Sequence, residues 1–196
     1  PLPHWTWHPE GFLFKMGVID FAGGTVVHMS AGFAALAAAM YLRNKKEKKI
    51  AISPANIPFV LLGTGLLWFG WFGFNAGSAL GAGPLAASAF ATTNTASAAA
   101  GLCWVLFDSV RGKKPSALGF CIGAVVGLVA ITPAAGFVTI PSSLFIGTVA
   151  SLISNVVVHW KSKTSLQDTV DVFPCHGVGG AVGMVMTGLL ANTAVN

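Results

Sequence analysis

Long uninterrupted apolar segments constrain this sequence more than any other feature. Several of them reach the roughly 20 residues that an α-helix needs to cross the hydrocarbon core of a bilayer. Of the 196 residues, 54% are hydrophobic and only 9% are charged, whereas a soluble domain carries about 25% charged residues. The surface of this chain cannot be mostly water-facing. We therefore predict an all-α, polytopic membrane protein embedded in a lipid bilayer.

The apolar segments predict a bundle of about six transmembrane helices that forms a single domain over residues 1–196. The predicted spans cover residues 19–42, 57–80, 84–107, 117–131 and 142–160, and a sixth begins near residue 171. Residues 1–15 carry tryptophans and prolines, which predict an interfacial loop leading into the first helix. The chain begins without methionine, and we expect it to be an incomplete piece of a longer polypeptide.

The basic residues are distributed unevenly between the two sides of the predicted spans. Ten of the eleven lysines and arginines follow the first, third or fifth span, and only Lys15 lies on the other side. Because positive charge collects in cytoplasmic loops, the loops at 43–53, 111–116 and 161–170 are predicted to be cytoplasmic. This topology explains the net charge of +5, so nucleic acid is not an expected partner.

Two histidines lie inside the first and sixth spans, where an ionisable side chain is costly and marks a functional site by default. Asp20 precedes His28 by eight residues, and Asp168 precedes His176 by the same interval. Eight helical residues rise about 12 Å, so the two histidines reach similar depth from opposite faces. This arrangement predicts an inverted-repeat transport fold. We interpret both aspartates as structural caps of helix starts rather than as substrate ligands.

Other interpretations of the two histidines remain open. Each ring could instead hydrogen-bond a carbonyl of a neighbouring helix and serve only packing, and the nearby glycines could simply allow close helix contact. A haem or metal site is a further alternative. Four-helix cytochromes use a histidine pair for each haem, however, and only one intramembrane pair exists here. We therefore expect no metal, no other cofactor and no enzymatic activity.

The second predicted span ends in an aromatic-rich run over residues 68–78. Such rings usually serve packing, but at an outer mouth they could hold a small cation by cation–π contact, worth about 0.5–2 kcal/mol. No net negative charge lies beside the two histidines, so a cation would be costly at mid-membrane. Histidine, whose ordinary pKa is about 6.5, can accept and pass on a proton. The residues alone thus predict a narrow, mostly apolar path for a small, weakly basic or neutral solute.

Four segments of the chain, DFAGGTVVH, GWFGFNAGS, TPAAG and DVFPCHGVGG, resemble signature segments of the ammonium transporter family, which comprises the Amt and Mep proteins and the related Rh proteins. The resemblance covers nearly the whole chain, in the family's order. It implies that the spans correspond to the fifth to tenth helices of an eleven-helix, homotrimeric transporter of the plasma or inner membrane. The first four helices, the last helix and the cytoplasmic tail would then be missing. The resemblance also suggests a PII-type regulatory protein as a cytoplasmic partner.

The resemblance implies roles for four residues of the pore. His28 and His176 resemble the twin pore histidines that share a proton between their rings. Phe74 resembles one of two stacked pore phenylalanines, and the second phenylalanine would belong to an absent helix. Ser78 resembles the hydroxyl of the outer site that recruits ammonium.

The remaining site residues follow from the same resemblance. Trp7 resembles the tryptophan of the recruitment site, with Trp5 as the alternative. Trp71 resembles a pore-lining tryptophan, and Thr132 a pore contact. Asp20 resembles an aspartate near the recruitment site that is mainly structural.

The implied function is transmembrane transport of ammonium or ammonia. Ammonium would be recruited at the outer aromatic site and deprotonated, and ammonia would pass the twin-histidine pore while the proton follows a relay through it. Two alternatives remain open: an ammonium sensor built on the same core, and an Rh-like neutral gas channel. An outer tryptophan together with Ser78 favours the Amt branch.

Overall fold

The computed structural model describes residues 1–42 and 54–196, and the regular secondary structure of this part is entirely helical. This result confirms the predicted all-α class. In chain order the elements are α1 (Leu2–Trp7), α2 (Phe12–Lys15), the π-helical turn π1 (Gly24–Met29), α3 (Ser30–Tyr41), α4 (Ile57–Gly77), α5 (Pro84–Val110), α6 (Ala117–Ile131), α7 (Ile140–Ser162), the π-helical turn π2 (Phe173–Val178) and α8 (Gly179–Leu190).

Each of the six predicted spans corresponds to a long helical segment. Four of these segments are long and apolar enough to cross a membrane: Gly24–Tyr41, Ile57–Gly77, Ile140–Ser162 and Phe173–Leu190. The α5 helix, with 27 residues, rises about 40 Å, but alanine, serine and threonine make it less apolar. The α6 helix has only 15 residues and lies in the interior of the bundle.

The structure differs from the sequence-based expectation at several boundaries. The predicted interfacial loop over residues 1–15 is wrong, because α1 and α2 occupy most of it. A proline lies in the first turn of α1, where its fixed φ suits helix initiation and its missing N–H costs nothing. The α7 helix extends to Ser162, so Lys161 belongs to a helix and not to the predicted loop 161–170. The predicted loop 111–116 joins α5 to α6, whereas the predicted loop 43–53 lies outside the described residues.

The centre of the bundle is the second half of α6. Val126 and residues 128–131 have no exposed surface, and α6 contacts α4, α5, α7, α8 and π1. Its approach to α5 requires glycine, since a Cβ on Gly127 would lie 2.5 Å from the carbonyl oxygen of Ala96. By contrast, α4 exposes large apolar side chains such as Phe59 and Phe69. An apolar exterior of this kind is typical of a helix in lipid.

Candidate functional site

Each candidate histidine lies in a π-helical turn of its own, and each of these turns begins a long helical segment. His28 belongs to π1, which continues into α3, and His176 belongs to π2, which continues into α8. In the first turn the backbone N–H of His28 donates to the carbonyl of Gly23, five residues earlier, at 3.2 Å. Single π-helical turns are rare and occur frequently at functional sites. The two histidines therefore share a local backbone conformation as well as an interval from an aspartate.

The Asp20 carboxylate caps the first of these turns. It is almost fully buried and accepts hydrogen bonds from the backbone N–H groups of Gly23, Gly24 and Thr25 at 2.9, 2.6 and 2.8 Å. These are the donors that a helix start leaves unpaired. The indole Nε1 of Trp7 donates to the backbone carbonyl of Asp20 at 2.7 Å. The polar groups of Asp20 are thus used to hold the backbone in front of His28.

Asp168 plays the corresponding part at the second turn. Its carboxylate accepts from the backbone N–H groups of Val172 and Phe173 at 2.9 and 2.8 Å. Lys161 donates to the backbone carbonyl of Asp168 and pairs with the carboxylate of Asp171 at 2.5 Å. Lys161 is not among the residues predicted for the site, because its position after the fifth predicted span indicates a loop cation. The structure shows it buried.

The two histidine rings meet across the bundle. Nδ1 of His28 and Nδ1 of His176 are 3.3 Å apart, and the ring centroids are separated by 5.3 Å. The ring of His28 stacks on Trp71 with ring centroids 5.2 Å apart, and the ring of Phe74 lies nearly perpendicular to it with the centroids 6.0 Å apart. His28 is only 3% exposed, so protein groups rather than bulk water surround its ring.

Thr132 completes the polar contacts of His28. Its Oγ1 lies 3.2 Å from Nε2 of His28 and accepts from Nε1 of Trp71 at 3.0 Å. The same hydroxyl donates to the carbonyl of Leu128 at 2.8 Å. His28, Trp71 and Thr132 are far apart in sequence and are brought together by the packing of π1, α4 and α6. The structure therefore brings five of the predicted site residues together: both histidines, Trp71, Phe74 and Thr132.

An open, apolar groove of about 520 Å³ runs along α4 and is lined in part by His28. Its walls come from α4 and from the turn π1. The lining residues are Val27, His28, Gly63, Leu66, Leu67, Gly70, Trp71 and Phe74. Apart from the histidine and the indole, the groove offers no group that would stabilise a charge.

The residues predicted for the outer recruitment site are not joined directly. Trp7 packs beside Gly23, whereas Ser78 donates through Oγ to the carbonyl of Phe74 at 2.9 Å. Within residues 1–42 and 54–196, no hydrogen bond or ring contact connects Trp7 with Phe74 or Ser78. The alternative tryptophan, Trp5, packs on the ring of Phe12 at 5.5 Å.

The described residues contain no group of three or more His, Cys, Asp or Glu side chains placed to hold a metal ion. The pair of rings formed by His28 and His176 is the feature of the site on which a chemical role can rest.

Comparison with known proteins identifies the group to which the chain belongs. The model of the Ammonium Transporter Family matches residues 1–196. Ammonium transporter Amt1 of Archaeoglobus fulgidus is 46% identical over 197 residues, which cover 100% of this chain and 50% of that protein. Candida albicans Mep2 superimposes with a TM-score of 0.93 at 43% identity, covering 100% of this chain and 44% of that one. A structure named Sensor Amt Protein has a TM-score of 0.90 at 35% identity, covering 98% and 51%.

The chain thus spans about half the length of these relatives. The curated relatives are named as transporters and not as enzymes, and the apolar helices are those of a membrane protein. These findings confirm the resemblance that the four signature segments indicated. The chain belongs to the ammonium transporter family.

Proposed function

We propose that this chain forms part of a membrane pore that carries ammonium as ammonia and a proton. The observation that carries the proposal is the pair formed by His28 and His176, whose Nδ1 atoms lie 3.3 Å apart. His28 also lines the apolar groove. The similarity to proteins named ammonium transporters supports the choice of substrate.

The chemistry of the groove favours separation of the proton from ammonia. An ammonium ion in an apolar environment loses its hydration and meets little compensating charge, at a cost of several kcal/mol or more. Neutral ammonia avoids this cost. The released proton needs basic groups within hydrogen-bond reach of one another, and two imidazoles provide them. The histidine pair is thus proposed to hand on the proton while ammonia moves beside it.

The outer end of α4 supplies the elements of a recruitment site. The ring of Phe74 is 37% exposed and is available for a cation–π contact. Ser78 donates its hydroxyl hydrogen to the Phe74 carbonyl, so its oxygen lone pairs are free to accept from an N–H of ammonium. Trp7 is proposed to contribute a further ring face. Asp20 and Asp168 are proposed to position the histidine turns without touching the substrate.

The proposed membrane arrangement follows from the distribution of basic residues. The loop at 111–116 is proposed to lie on the cytoplasmic side, together with the segments at 43–53 and 161–170, because ten of eleven basic residues follow the same ends of the predicted spans and positive charge collects in cytoplasmic loops. The full-length protein is proposed to be a homotrimer of the cell membrane. A PII-type protein is the proposed cytoplasmic regulator.

Transport is tested with the full-length protein in proteoliposomes. A rapid ammonium pulse is expected to produce an inward current, whereas a potassium pulse of the same concentration is not. Uptake of ammonia without any current would instead indicate a neutral gas channel and contradict the proton relay.

The similarity to a structure named Sensor Amt Protein gives a second candidate, an ammonium sensor built on the same helices. A sensor would bind ammonium without a sustained current. Ammonium binding measured by calorimetry in a protein that conducts no current would favour the sensor over the transporter.

A further inference from the structure

The hydroxyl of Thr132 has more neighbours than hydrogens, and this restricts where the hydrogens lie. A hydroxyl carries one hydrogen and two lone pairs. The Leu128 carbonyl, at 2.8 Å, can only accept, so it takes the hydroxyl hydrogen. Nε1 of Trp71, at 3.0 Å, can only donate, so it uses one lone pair. The remaining lone pair faces Nε2 of His28 at 3.2 Å.

These hydrogen bonds determine which nitrogen of His28 carries the hydrogen. If Nε2 of His28 were unprotonated, it and the Leu128 carbonyl would both need the single hydroxyl hydrogen of Thr132. The carbonyl is nearer and would keep that hydrogen bond. A buried acceptor would then be left unpaired, which costs about 1–3 kcal/mol. With the hydrogen on Nε2, His28 donates to Thr132 and every group around the hydroxyl is satisfied.

The protonation of His28 determines which nitrogen of His176 carries its hydrogen. A neutral imidazole carries one N–H, so Nδ1 of His28 is unprotonated. It faces Nδ1 of His176 at 3.3 Å, and two bare nitrogens at this distance would repel each other. Nδ1 of His176 therefore carries a hydrogen and donates it to His28. Nε2 of His176 is then left with a free lone pair.

We propose that the Thr132 hydroxyl fixes the tautomers of both histidines and makes Nε2 of His176 the proton-accepting nitrogen of the neutral pair. The consequence for transport rests on the proposed function: a proton released from ammonium adds to this lone pair, which yields ammonia and an imidazolium at His176. The Nδ1 proton of that ring, and with it the positive charge, can then move to His28. Thr132 acts through His28 and is a positioning residue.

The tautomers can be read by solid-state ¹⁵N NMR of the full-length protein in lipid bilayers, with ¹⁵N-labelled histidine. A ¹⁵N–¹⁵N coupling between the two Nδ1 atoms identifies the pair among other histidines. The wild-type protein is expected to show the hydrogen on Nε2 of His28 and on Nδ1 of His176. Thr132→Ser keeps the hydroxyl and should preserve both tautomers.

Thr132→Val removes the hydroxyl with little change of shape. The hydrogen on Nε2 of His28 then loses its acceptor, whereas the bond between the two Nδ1 atoms can form in either direction. The pair is expected to show both tautomers instead of one. The matched control is Thr95→Val, which removes a hydroxyl that bonds the Ala91 carbonyl at 2.8 Å. It should leave the histidine spectrum unchanged.

Two results would overturn the assignment: a hydrogen on Nδ1 of His28 in the wild-type protein, or wild-type tautomers in Thr132→Val. Currents from the same samples test the consequence for transport. Thr132→Val should reduce the ammonium current about tenfold or more, whereas Thr132→Ser should retain it, and a wild-type current in Thr132→Val would refute the role in transport. If the tautomers are as assigned but currents persist without the histidines, the proposed function fails and the role of Thr132 in the pair stands.

Discussion

Gly32, four residues beyond His28, lies directly on the backbone of Gly177, the residue after His176. A Cβ on Gly32 would come within 2.1 Å of the Gly177 nitrogen. The reciprocal contact involves Gly180, four residues beyond His176, whose Cβ would lie 3.2 Å from the Cβ of His28. Each helix therefore crosses the π-helical turn at the start of the other. These two crossings set the separation of the rings.

Gly32→Ala is expected to push α3 away from π2 and to pull the histidine rings apart. Because the obstructing atoms are backbone, they cannot rotate away, and overpacking of this kind costs about 1–3 kcal/mol. We expect a lower unfolding temperature of the full-length protein and loss of most of the ammonium current. Gly188→Ala is the matched control, since a Cβ placed there would meet no atom of the described residues within 4 Å beyond the local helix backbone. A Gly32→Ala protein with normal stability and current would show that the crossing does not position the rings.

Asp20→Ala is expected to destabilise the protein by about 1–3 kcal/mol, because three backbone N–H groups lose a charged acceptor. Asp20→Asn retains one acceptor oxygen and should be milder. The measurement is the unfolding temperature in detergent, combined with the ammonium current. If Asp20 bound substrate instead of capping π1, Asp20→Asn would lose current without any loss of stability.

Lys161→Met removes the cation that faces Asp171 and the Asp168 carbonyl. Removal of one partner of a buried ion pair leaves an uncompensated charge and costs about 3 kcal/mol. We expect a clear decrease in the unfolding temperature. The exposed Lys163, two residues further along, provides the control, and Lys163→Met should be neutral. Equal stability of the two variants would contradict a structural role for Lys161.

Ser78→Ala tests the proposed outer recruitment site. Loss of one hydrogen bond to the cation is worth about 1 kcal/mol, so we expect the ammonium concentration for half-maximal current to rise about fivefold with little change in maximal current. Ser109 makes a similar hydroxyl bond to the carbonyl four residues earlier, at 2.8 Å. It lies at the carboxyl end of α5, whereas Ser78 precedes the amino end of that helix. Ser109→Ala should behave as wild type. An unchanged half-maximal concentration in Ser78→Ala would remove Ser78 from the site.

Much of the fold could be predicted from the sequence, because hydrophobic length and proline positions are local signals. The fourth span, 117–131, coincides with α6. The first span was predicted to begin at residue 19, but Asp20 remains in the loop and the helical turn begins at Gly24. A carboxylate that caps several N–H groups has to lie outside the helix, and hydropathy alone does not reveal this requirement.

The contacts of the site could be predicted only in part. The interval between aspartate and histidine indicates two inverted helix starts. The π-helical turns could not be predicted, because six residues are too few to show a hydrophobic period. The link from Trp71 to Thr132 joins residues 61 positions apart, and that from His28 to Thr132 spans 104 positions. Such contacts depend on tertiary packing. Lys161 was missed for a related reason, since a lysine near a helix end ordinarily reaches water.

The central claim is that the two histidines carry the proton of ammonium through the pore, and the most direct measurement is the current of full-length His176→Ala in proteoliposomes. The ring of His176 supplies one of the two nitrogens that meet at 3.3 Å, so we predict that His176→Ala loses the ammonium current. An unfolding temperature like that of the wild type would show that the variant is correctly folded. His4→Ala, which alters an exposed histidine, should conduct normally. A wild-type ammonium current in His176→Ala would contradict the relay.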